Sequence, residues 1–315
     1  MKKVSVVEPA PPTELRSLAD DWLASVRAGG KSLRTLESYR WPVYQLFLPF
    51  CAGQGIERPD QLDQRALDRF TTWLLDKQRP DGRPLSRASV ASYARSVRVF
   101  LGFVRRQGEE VAGRPQVPPS PRKVVVTLER SEIEALEDAA ETERDKLIVR
   151  VLANTGLRLG ELLGRRAMDL IQNDRGWFVK VRGKGNKERL VPLRPPAVAR
   201  RLRRYADRGR HPEVTSDRIF LTIRRSRRTG RYEPLERRTV EQMMKGLAER
   251  AGVDPTRAYP HALRHSFPTW TLRSGMNALM LQEVLGHTDL TMISRNYSHV
   301  RAEDAADHLA RLLEQ

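Results

Sequence analysis

The eight residues Thr155-Gly-Leu-Arg-Leu-Gly-Glu-Leu162 are the first of four short patterns that decide the fold of this chain. Before them, apolar residues recur at helical spacing over residues 147–152, and Gly156 is predicted to end that helix. Arg158 therefore follows directly after a helix-breaking glycine. An arginine at a helix start is usually a surface residue, so its interpretation depends on the patterns that follow.

The second pattern, Gly183-Lys-Gly-Asn-Lys-Glu-Arg189, lies between two stretches rich in β-forming residues. These stretches, residues 177–182 and 189–193, predict two strands joined by a glycine turn. The turn places Lys184 at the tip of a hairpin. A lysine in such a turn is ordinarily just solvated.

The remaining two patterns contain histidines. His261-Ala-Leu-Arg-His265 opens a predicted helical segment, and its two histidines share one face because they are four residues apart. Leu285-Gly-His287 is followed ten residues later by Tyr297. Each of these residues alone has an ordinary explanation as a packing, turn or surface residue.

In this order, the four patterns resemble those of the tyrosine recombinase and phage integrase family, including its Xer and Cre branches, over roughly residues 127–300. The resemblance implies a mainly α-helical, two-domain clamp, C-shaped around DNA, with a small antiparallel β-sheet in the C-terminal catalytic domain. It implies a site-specific recombinase that cleaves and rejoins DNA through a 3′-phosphotyrosine intermediate. By position, the family's catalytic residues correspond to Arg158, Lys184, His261, Arg264, His287 and the nucleophile Tyr297.

The chemistry of these residue types supports the same assignment. Two guanidinium groups can hold the phosphoryl oxygens of a DNA phosphodiester with hydrogen bonds of fixed geometry. A tyrosine phenol has a pKa near 10, so it needs a proton acceptor, and a histidine suits that role. Lys184 could protonate the leaving 5′ oxygen, and His287 could donate to a non-bridging oxygen. The covalent phosphotyrosine link conserves the energy of the cleaved phosphodiester bond. We therefore expect neither a metal nor another cofactor.

Residues 12–108 are predicted to form a helical DNA-binding domain that resembles the family's core-binding domain. The Gly29-Gly30 pair ends the first of four helices, and the second carries Pro42 near its start or as a kink. The third covers residues 66–74. Ser86 is the predicted N-cap of the fourth and clearest helix. Some phage integrases carry an additional N-terminal arm-binding domain, and we expect this chain to lack it.

Residues 109–126 are predicted to be an extended linker, and residues 127–315 the catalytic domain. Proline clusters resist both helix and central strand, and four prolines lie in the linker: Pro115, Pro118, Pro119 and Pro121. In the catalytic domain, Thr239 and Gln242 are a candidate capping box. Pro268 departs from the family pattern and is expected to kink its helix or end it early. Residues 302–313 resemble a short amphipathic helix that either docks on a neighbouring subunit or packs on its own.

The charge of the chain favours a polyanionic partner. Its 315 residues contain 57 Lys and Arg against 39 Asp and Glu, a formal net charge of +18. DNA, RNA or an anionic membrane could be that partner, and a basic composition can also reflect an arginine-rich proteome. No apolar run approaches the roughly 18 residues of a membrane span, and the single cysteine, Cys51, excludes a disulfide framework. A cytoplasmic location fits. Five basic residues are candidates for DNA contacts: Arg87, Arg95, Arg98, Arg122 and Lys123.

The resemblance implies double-stranded recombination sites as partners, a homotetramer on two DNA sites, and a possible accessory directionality protein. A type IB topoisomerase would use nearly the same residues, and a non-catalytic DNA-binding regulator could share the fold. A zinc hydrolase is the weakest alternative. The motif His261-Ala-Leu-Arg-His265 lacks the glutamate of a zincin, and the cation of Arg264 between its histidines would repel a metal ion.

Overall fold

A computed structural model describes residues 13–119, 125–183, 188–209, 216–286 and residue 310. The chain divides into two compact units, Met1–Lys123 and Val124–Gln315. Among the described residues, no helix is both long enough and apolar enough to cross a membrane. Each unit has its own hydrophobic core.

Where it is described, the N-terminal unit consists of helices joined by loops, with one isolated β-bridge between Gln78 and Pro84. Four buried aromatic side chains, Trp22, Phe47, Phe70 and Phe100, form the centre of its core, with ring centroids 5.1–6.2 Å apart. Its helices are α1 (Glu14–Ala28), α2 (Leu33–Pro42), α3 (Leu48–Gly53), α4 (Gln64–Asp76) and α5 (Arg87–Arg106), with a π-helical segment (Val43–Phe47) after α2 and a 3-10 turn (Pro59–Gln61) before α4.

The four predicted helices of this unit are confirmed as α1, α2, α4 and α5, and Ser86 caps α5 by accepting a hydrogen bond from the Ser89 amide. Of the two alternatives for Pro42, a position near the helix start is wrong, and the kink stays a prediction. Pro42 is the last residue of α2, and the backbone continues as the π-helical segment. A proline has no N–H to donate, so a break in the regular hydrogen-bond ladder is expected there. The short helix α3 was not predicted.

Residues 109–119 contain no helix or strand and pack onto the N-terminal unit. The Gly113 amide donates to the Leu62 carbonyl at 3.1 Å, and Arg98 Nε donates to the Pro115 carbonyl at 2.6 Å. A Cβ at position 113 would lie 2.6 Å from the backbone of Asp63, so only glycine fits this contact. Residues 109–119 of the predicted linker are therefore bound to the N-terminal unit by hydrogen bonds and close packing.

The C-terminal unit surrounds α7, which packs against α6 and α11. Its helices are α6 (Arg130–Asp138), α7 (Glu143–Thr155), α8 (Leu159–Leu163), α9 (Pro196–Arg204), α10 (Arg237–Ala251), α11 (Pro260–Arg273) and α12 (Ala278–Leu285), with a 3-10 turn (Ala167–Asp169) after α8 and a π-helical segment (Tyr205–Gly209) after α9. Three antiparallel strands in the order β1 (Leu170–Asn173), β2 (Gly176–Arg182) and β3 (Glu188–Pro192) form the sheet, with Val179 opposite Val191. The predicted strands are β2 and β3; β1 was not predicted.

In this unit one local prediction is wrong, and one of the two alternatives for Pro268 is excluded while the kink stays a prediction. The capping box of Thr239 and Gln242 does not exist, because α10 begins at Arg237 with Glu236 as its N-cap. The Leu235 amide is bonded to the Phe220 carbonyl, which fixes the approach to the helix and brings its start forward. Pro268 does not end α11 early, since the helix continues to Arg273.

Candidate active site

The reversal between α7 and α8 presents Arg158. Gly156 ends α7 in the left-handed conformation, with φ 60°, and Arg158 is the N-cap of α8. A Cβ at position 156 would lie 2.7 Å from a methyl group of Leu285 and 2.8 Å from the ring of Phe267. The glycine is therefore required both by backbone conformation and by the close packing of α11 and α12.

Glu161 in α8 is the centre of a cluster of three arginines. Its carboxylate accepts from Arg158 Nη1 at 2.9 Å, and it lies 3.9 Å from Arg264 Nη1. It also accepts two hydrogen bonds from Arg189, from Nη1 at 3.2 Å and from Nη2 at 3.0 Å. One carboxylate thus gathers guanidinium groups from α8, β3 and α11. The cluster carries a formal excess of two positive charges.

The electrostatics of the cluster keep Glu161 ionised. Burial raises the pKa of this carboxyl, but the hydrogen bonds and charges of Arg189 and Arg158 outweigh burial, and its pKa is lower than usual. A carboxylate that stays charged holds the three guanidinium groups close together. The remaining positive charge favours an anion beside them.

The two predicted catalytic arginines differ in exposure. The side chain of Arg264 is 6% exposed and also donates from Nη1 to the Gly156 carbonyl, so it is fixed between α11 and the end of α7. The side chain of Arg158 is 42% exposed. The structure therefore brings Arg158 and Arg264 to the same carboxylate, one open to solvent and the other buried behind it.

The two histidines of the third pattern lie in the first turns of α11, with ring centroids 6.2 Å apart. Burial lowers the pKa of His261, and the charges of Arg264, Arg237 and Arg158 lower it further. Burial, with smaller contributions from His261 and Arg264, lowers the pKa of His265 to about 4. Both imidazoles are consequently neutral at pH 7, and a neutral imidazole can accept a proton.

Three predicted catalytic residues, Lys184, His287 and Tyr297, lie outside the described residues, and the C-terminal segment 302–313 does too, apart from residue 310. Lys184 belongs to the gap between β2 and β3, and His287 directly follows Gly286, the C-cap of α12.

Arg189 is a site residue that sequence reasoning missed. Besides its ion pair with Glu161, it donates from Nε to the Val284 carbonyl at 3.2 Å. A Cβ on Gly286 would lie 2.8 Å from its guanidinium carbon. Arg189 thus contacts the residue that precedes His287. Its position at the end of the quoted second pattern was the available signal.

The predicted DNA-contacting residues fall into three groups. Arg87 and Arg95 are exposed on α5. Arg98 is half-buried and bonded to the Pro115 carbonyl, which gives it a structural contact. Arg122 and Lys123 lie outside the described part of the chain.

Comparisons with known proteins agree on one family. A family model described as the phage integrase family matches residues 127–304. The tyrosine recombinase XerD of Caulobacter vibrioides is 33% identical over 242 residues, covering 74% of this chain and 76% of that relative. The XerD of Vibrio cholerae is 31% identical over 284 residues, covering 87% of this chain and 88% of that relative.

Solved structures share the fold. The XerH site-specific recombinase bound to palindromic difH substrate, a post-cleavage complex, superposes with a TM-score of 0.68 at 20% identity, covering 95% of this chain and 85% of that chain. The Tn1549 transposon integrase in complex with transposon right end DNA has a TM-score of 0.68 at 19% identity, covering 94% of this chain and 99% of that chain.

Proposed function

This chain belongs to the phage integrase family and is a site-specific DNA recombinase, and we propose that it cleaves and rejoins strands through a 3′-phosphotyrosine bond at Tyr297. The observation that carries the proposal is the convergence of Arg158 and Arg264 on Glu161. This arrangement gives the unit a fixed, net positive cluster that includes an exposed guanidinium. A DNA phosphodiester is an anion that such a cluster can bind.

The two arginines act on the phosphate. Arg158 and Arg264 donate to the non-bridging oxygens, on which negative charge builds up as the phosphorus becomes five-coordinate. Arg264 is buried and held by backbone and carboxylate, so little reorganisation is required when the charge develops. His287 adds a hydrogen bond to a non-bridging oxygen.

The proton transfers divide between His261 and Lys184. His261 accepts the proton of the Tyr297 phenol, and the phenolate oxygen attacks the phosphorus. The bond from phosphorus to the 5′ oxygen breaks, and Lys184 protonates that oxygen, which leaves as a 5′-hydroxyl. In the second step, a 5′-hydroxyl from a partner strand attacks the phosphotyrosine and releases the phenol. The low pKa of His261 supports its role as the acceptor.

The assembly follows from the exchange of strands. Two duplexes exchanged strand by strand require four cleavages, so we propose a homotetramer on two double-stranded recombination sites, with an accessory directionality protein as a further partner. We propose a cytoplasmic location because the substrate is DNA. The XerD relatives and the DNA-bound structures of similar fold support DNA as the partner.

Capture of the covalent intermediate tests the proposal. The protein is incubated with a fragment library of genomic DNA, denatured in detergent, and the protein-linked DNA is recovered and sequenced. We expect attachment at one defined junction, which then serves as a nicked suicide substrate. Tyr297→Phe should abolish attachment and retain DNA binding, while the matched Tyr93→Phe should leave attachment unchanged. Attachment by the Tyr297 variant would show that another residue is the nucleophile.

A paired-site assay separates recombination from relaxation. Two plasmid-borne copies of the recovered junction should yield exchanged products. Relaxation of supercoils without exchange would identify a topoisomerase, and binding without attachment would identify a regulator.

A further inference from the structure

A loop between the π-helical segment that follows α9 and the start of α10 carries a high density of arginines. Residues 222–233, which we name the arginine arm, contain five arginines between positions 224 and 231 and a single acidic residue, Glu233. The catalytic chemistry proposed above uses none of them. The proposal below depends on the proposed function only in that DNA is the substrate.

The arm has a defined backbone. At its base, the Thr222 amide donates to the Glu233 carbonyl at 2.9 Å. Near its tip, the Ser226 amide donates to the Arg231 carbonyl at 2.8 Å, and Gly230 turns the chain with φ 68°. The residues that flank the arm, Leu221 and Leu235, are 4% and 5% exposed. A hairpin-like loop anchored in the core therefore presents the arginines.

Four of the five arginines of the arm have no counter-charge among the described residues. Arg224, Arg227, Arg228 and Arg231 are all exposed, and in the described part of the chain their guanidinium groups make no ion pair or hydrogen bond. Some other arginines of the same unit are paired, such as Arg201 with Glu143 at 3.0 Å and Arg203 with Asp207 at 2.8 Å. Like charges held together repel one another, so a cluster of five arginines with a single acidic residue favours a polyanion.

The arm leads directly into a helix that packs against the elements of the candidate active site. The chain leaves the arm through Leu235 and enters α10 at Arg237. The helix α10 packs against α8, which carries Glu161, and against α11, which carries Arg264. The base of the arm is therefore close in sequence to a helix that contacts both of these elements.

We propose that the arginine arm binds the phosphate backbone of duplex DNA next to the scissile phosphate, as a contact that is independent of base sequence. Arginines on a short loop can approach consecutive phosphates, and each contact releases condensed counterions. The arm thereby contributes affinity and holds the duplex in register, while it leaves the choice of sequence to other residues.

Salt dependence of binding tests the arm. The test variant replaces Arg224, Arg227, Arg228 and Arg231 with Gln in the full-length protein. The control replaces four exposed arginines of the same unit, Arg175, Arg200, Arg204 and Arg208, with Gln, so that both variants lose the same charge. A third variant replaces the four arm residues with Lys. Binding of fluorescent duplexes, one with the recovered junction and one unrelated, is measured between 50 and 300 mM NaCl.

We expect the Gln arm variant to bind both duplexes at least tenfold more weakly, with the slope of log K against log salt smaller by about 2–4, since each phosphate contact contributes about 0.9. The control should change the slope by less than about 1, and the Lys variant should retain most of the wild-type slope. Thermal unfolding should be alike in all four proteins, because the replaced side chains are exposed.

A slope for the Gln arm variant equal to that of the control overturns the proposal. Weakening on the junction duplex alone overturns it as well, because the arm would then read bases. Unchanged DNA binding together with lost binding to phosphatidylglycerol vesicles would assign the arm to a membrane surface. Wild-type protein that binds DNA but never attaches to it contradicts the proposed function, whereas wild-type attachment with an unchanged arm slope contradicts the arm alone.

Discussion

Arg189 and Glu161 form a two-point ion pair, with Nη1–Oε1 at 3.2 Å and Nη2–Oε2 at 3.0 Å, between side chains that are 9% and 10% exposed. This pair joins β3 to α8 within a buried setting. Because Arg189 also bonds the Val284 carbonyl, one side chain links the hairpin, the helix that carries Glu161 and the end of α12.

Removal of Arg189 should therefore destabilise the C-terminal unit. Arg189→Gln leaves Glu161 with a buried charge that is only partly compensated, and we expect a loss of about 3 kcal/mol in the free energy of unfolding. The matched change Arg182→Gln breaks the exposed pair with Glu188 and should lower the free energy of unfolding much less, because solvent screens that pair. Urea titration of both variants measures the difference. Equal losses of unfolding free energy in the two variants would mean that the buried pair stabilises the unit no more than the exposed pair does.

The two predicted catalytic arginines should not tolerate lysine. Lysine keeps the charge but loses the planar, two-point donor, so Arg158→Lys and Arg264→Lys should each slow covalent attachment by about 10²–10³-fold. Arg166→Lys, which changes an exposed arginine paired with Asp217, serves as the control. Rates on the nicked suicide substrate give the comparison. Rates within threefold of the control would remove either arginine from the proposed mechanism.

The pH profile of attachment should reflect the lowered pKa of His261. A histidine acts as proton acceptor only when neutral, and the lowered pKa keeps it neutral at pH values below its usual pKa of about 6.5. At subsaturating DNA, the attachment rate should fall towards acid pH with an acidic limb centred below the usual histidine pKa of about 6.5. His261→Gln should be slower and should lose this acidic limb. An acidic limb centred above pH 7 would contradict the assignment of His261 as the proton acceptor. An acidic limb that persists in His261→Gln would contradict it as well.

The stability of the C-terminal unit should depend on His265 in acid. Its folded pKa of about 4 lies below the unfolded value of about 6.5, so the unfolded chain binds more protons between these values. The contribution of neutral His265 to the free energy of unfolding is complete above about pH 6.5 and declines as the pH falls towards 4. In His265→Gln, the free energy of unfolding should fall by about 1–2 kcal/mol less than in the wild type between pH 6.5 and 4, after allowance for partial solvent screening. Urea titrations at several pH values measure this difference. Parallel plots of the free energy of unfolding against pH for wild type and variant would contradict the expectation.

Two left-handed glycines offer a matched test of packing. Gly252 and Gly286 end α10 and α12 with φ 68° and 63°, but a Cβ would meet open space at 252 and the Arg189 side chain at 286. Gly252→Ala should cost about 1–2 kcal/mol from backbone strain alone. Gly286→Ala should cost roughly 2–4 kcal/mol, because Arg189 must also move. In a double-mutant cycle, Gly286→Ala should couple to Arg189→Gln and Gly252→Ala should not.

Local sequence signals predicted much of the fold and part of the site. Gly156 and the apolar spacing before it were enough to place the end of α7 and hence Arg158. β1 was missed because four residues with a weak pattern do not separate a strand from a loop. The helix start at Arg237 was misplaced because it is set by the pairing of Leu235 with Phe220, which local spacing does not show.

The geometry of the candidate site is a matter of long-range contacts. Glu161 meets Arg189 across 28 residues and Arg264 across more than a hundred, so no motif spacing could have indicated their convergence. The resemblance supplied Arg264 as a candidate, but neither it nor the residue chemistry pointed to Arg189. Lys184, His287 and Tyr297 remain predictions.

The dependence of Glu161 on partners from β3 and α11 has a consequence for biosynthesis. Chains fold largely from the N-terminus as they leave the ribosome. A nascent chain that ends before residue 264 can place Arg158 beside Glu161, but it lacks the second guanidinium and the packing of Phe267 and Leu285 on Gly156. The arginine cluster around Glu161 is therefore complete only after α11 has been synthesised.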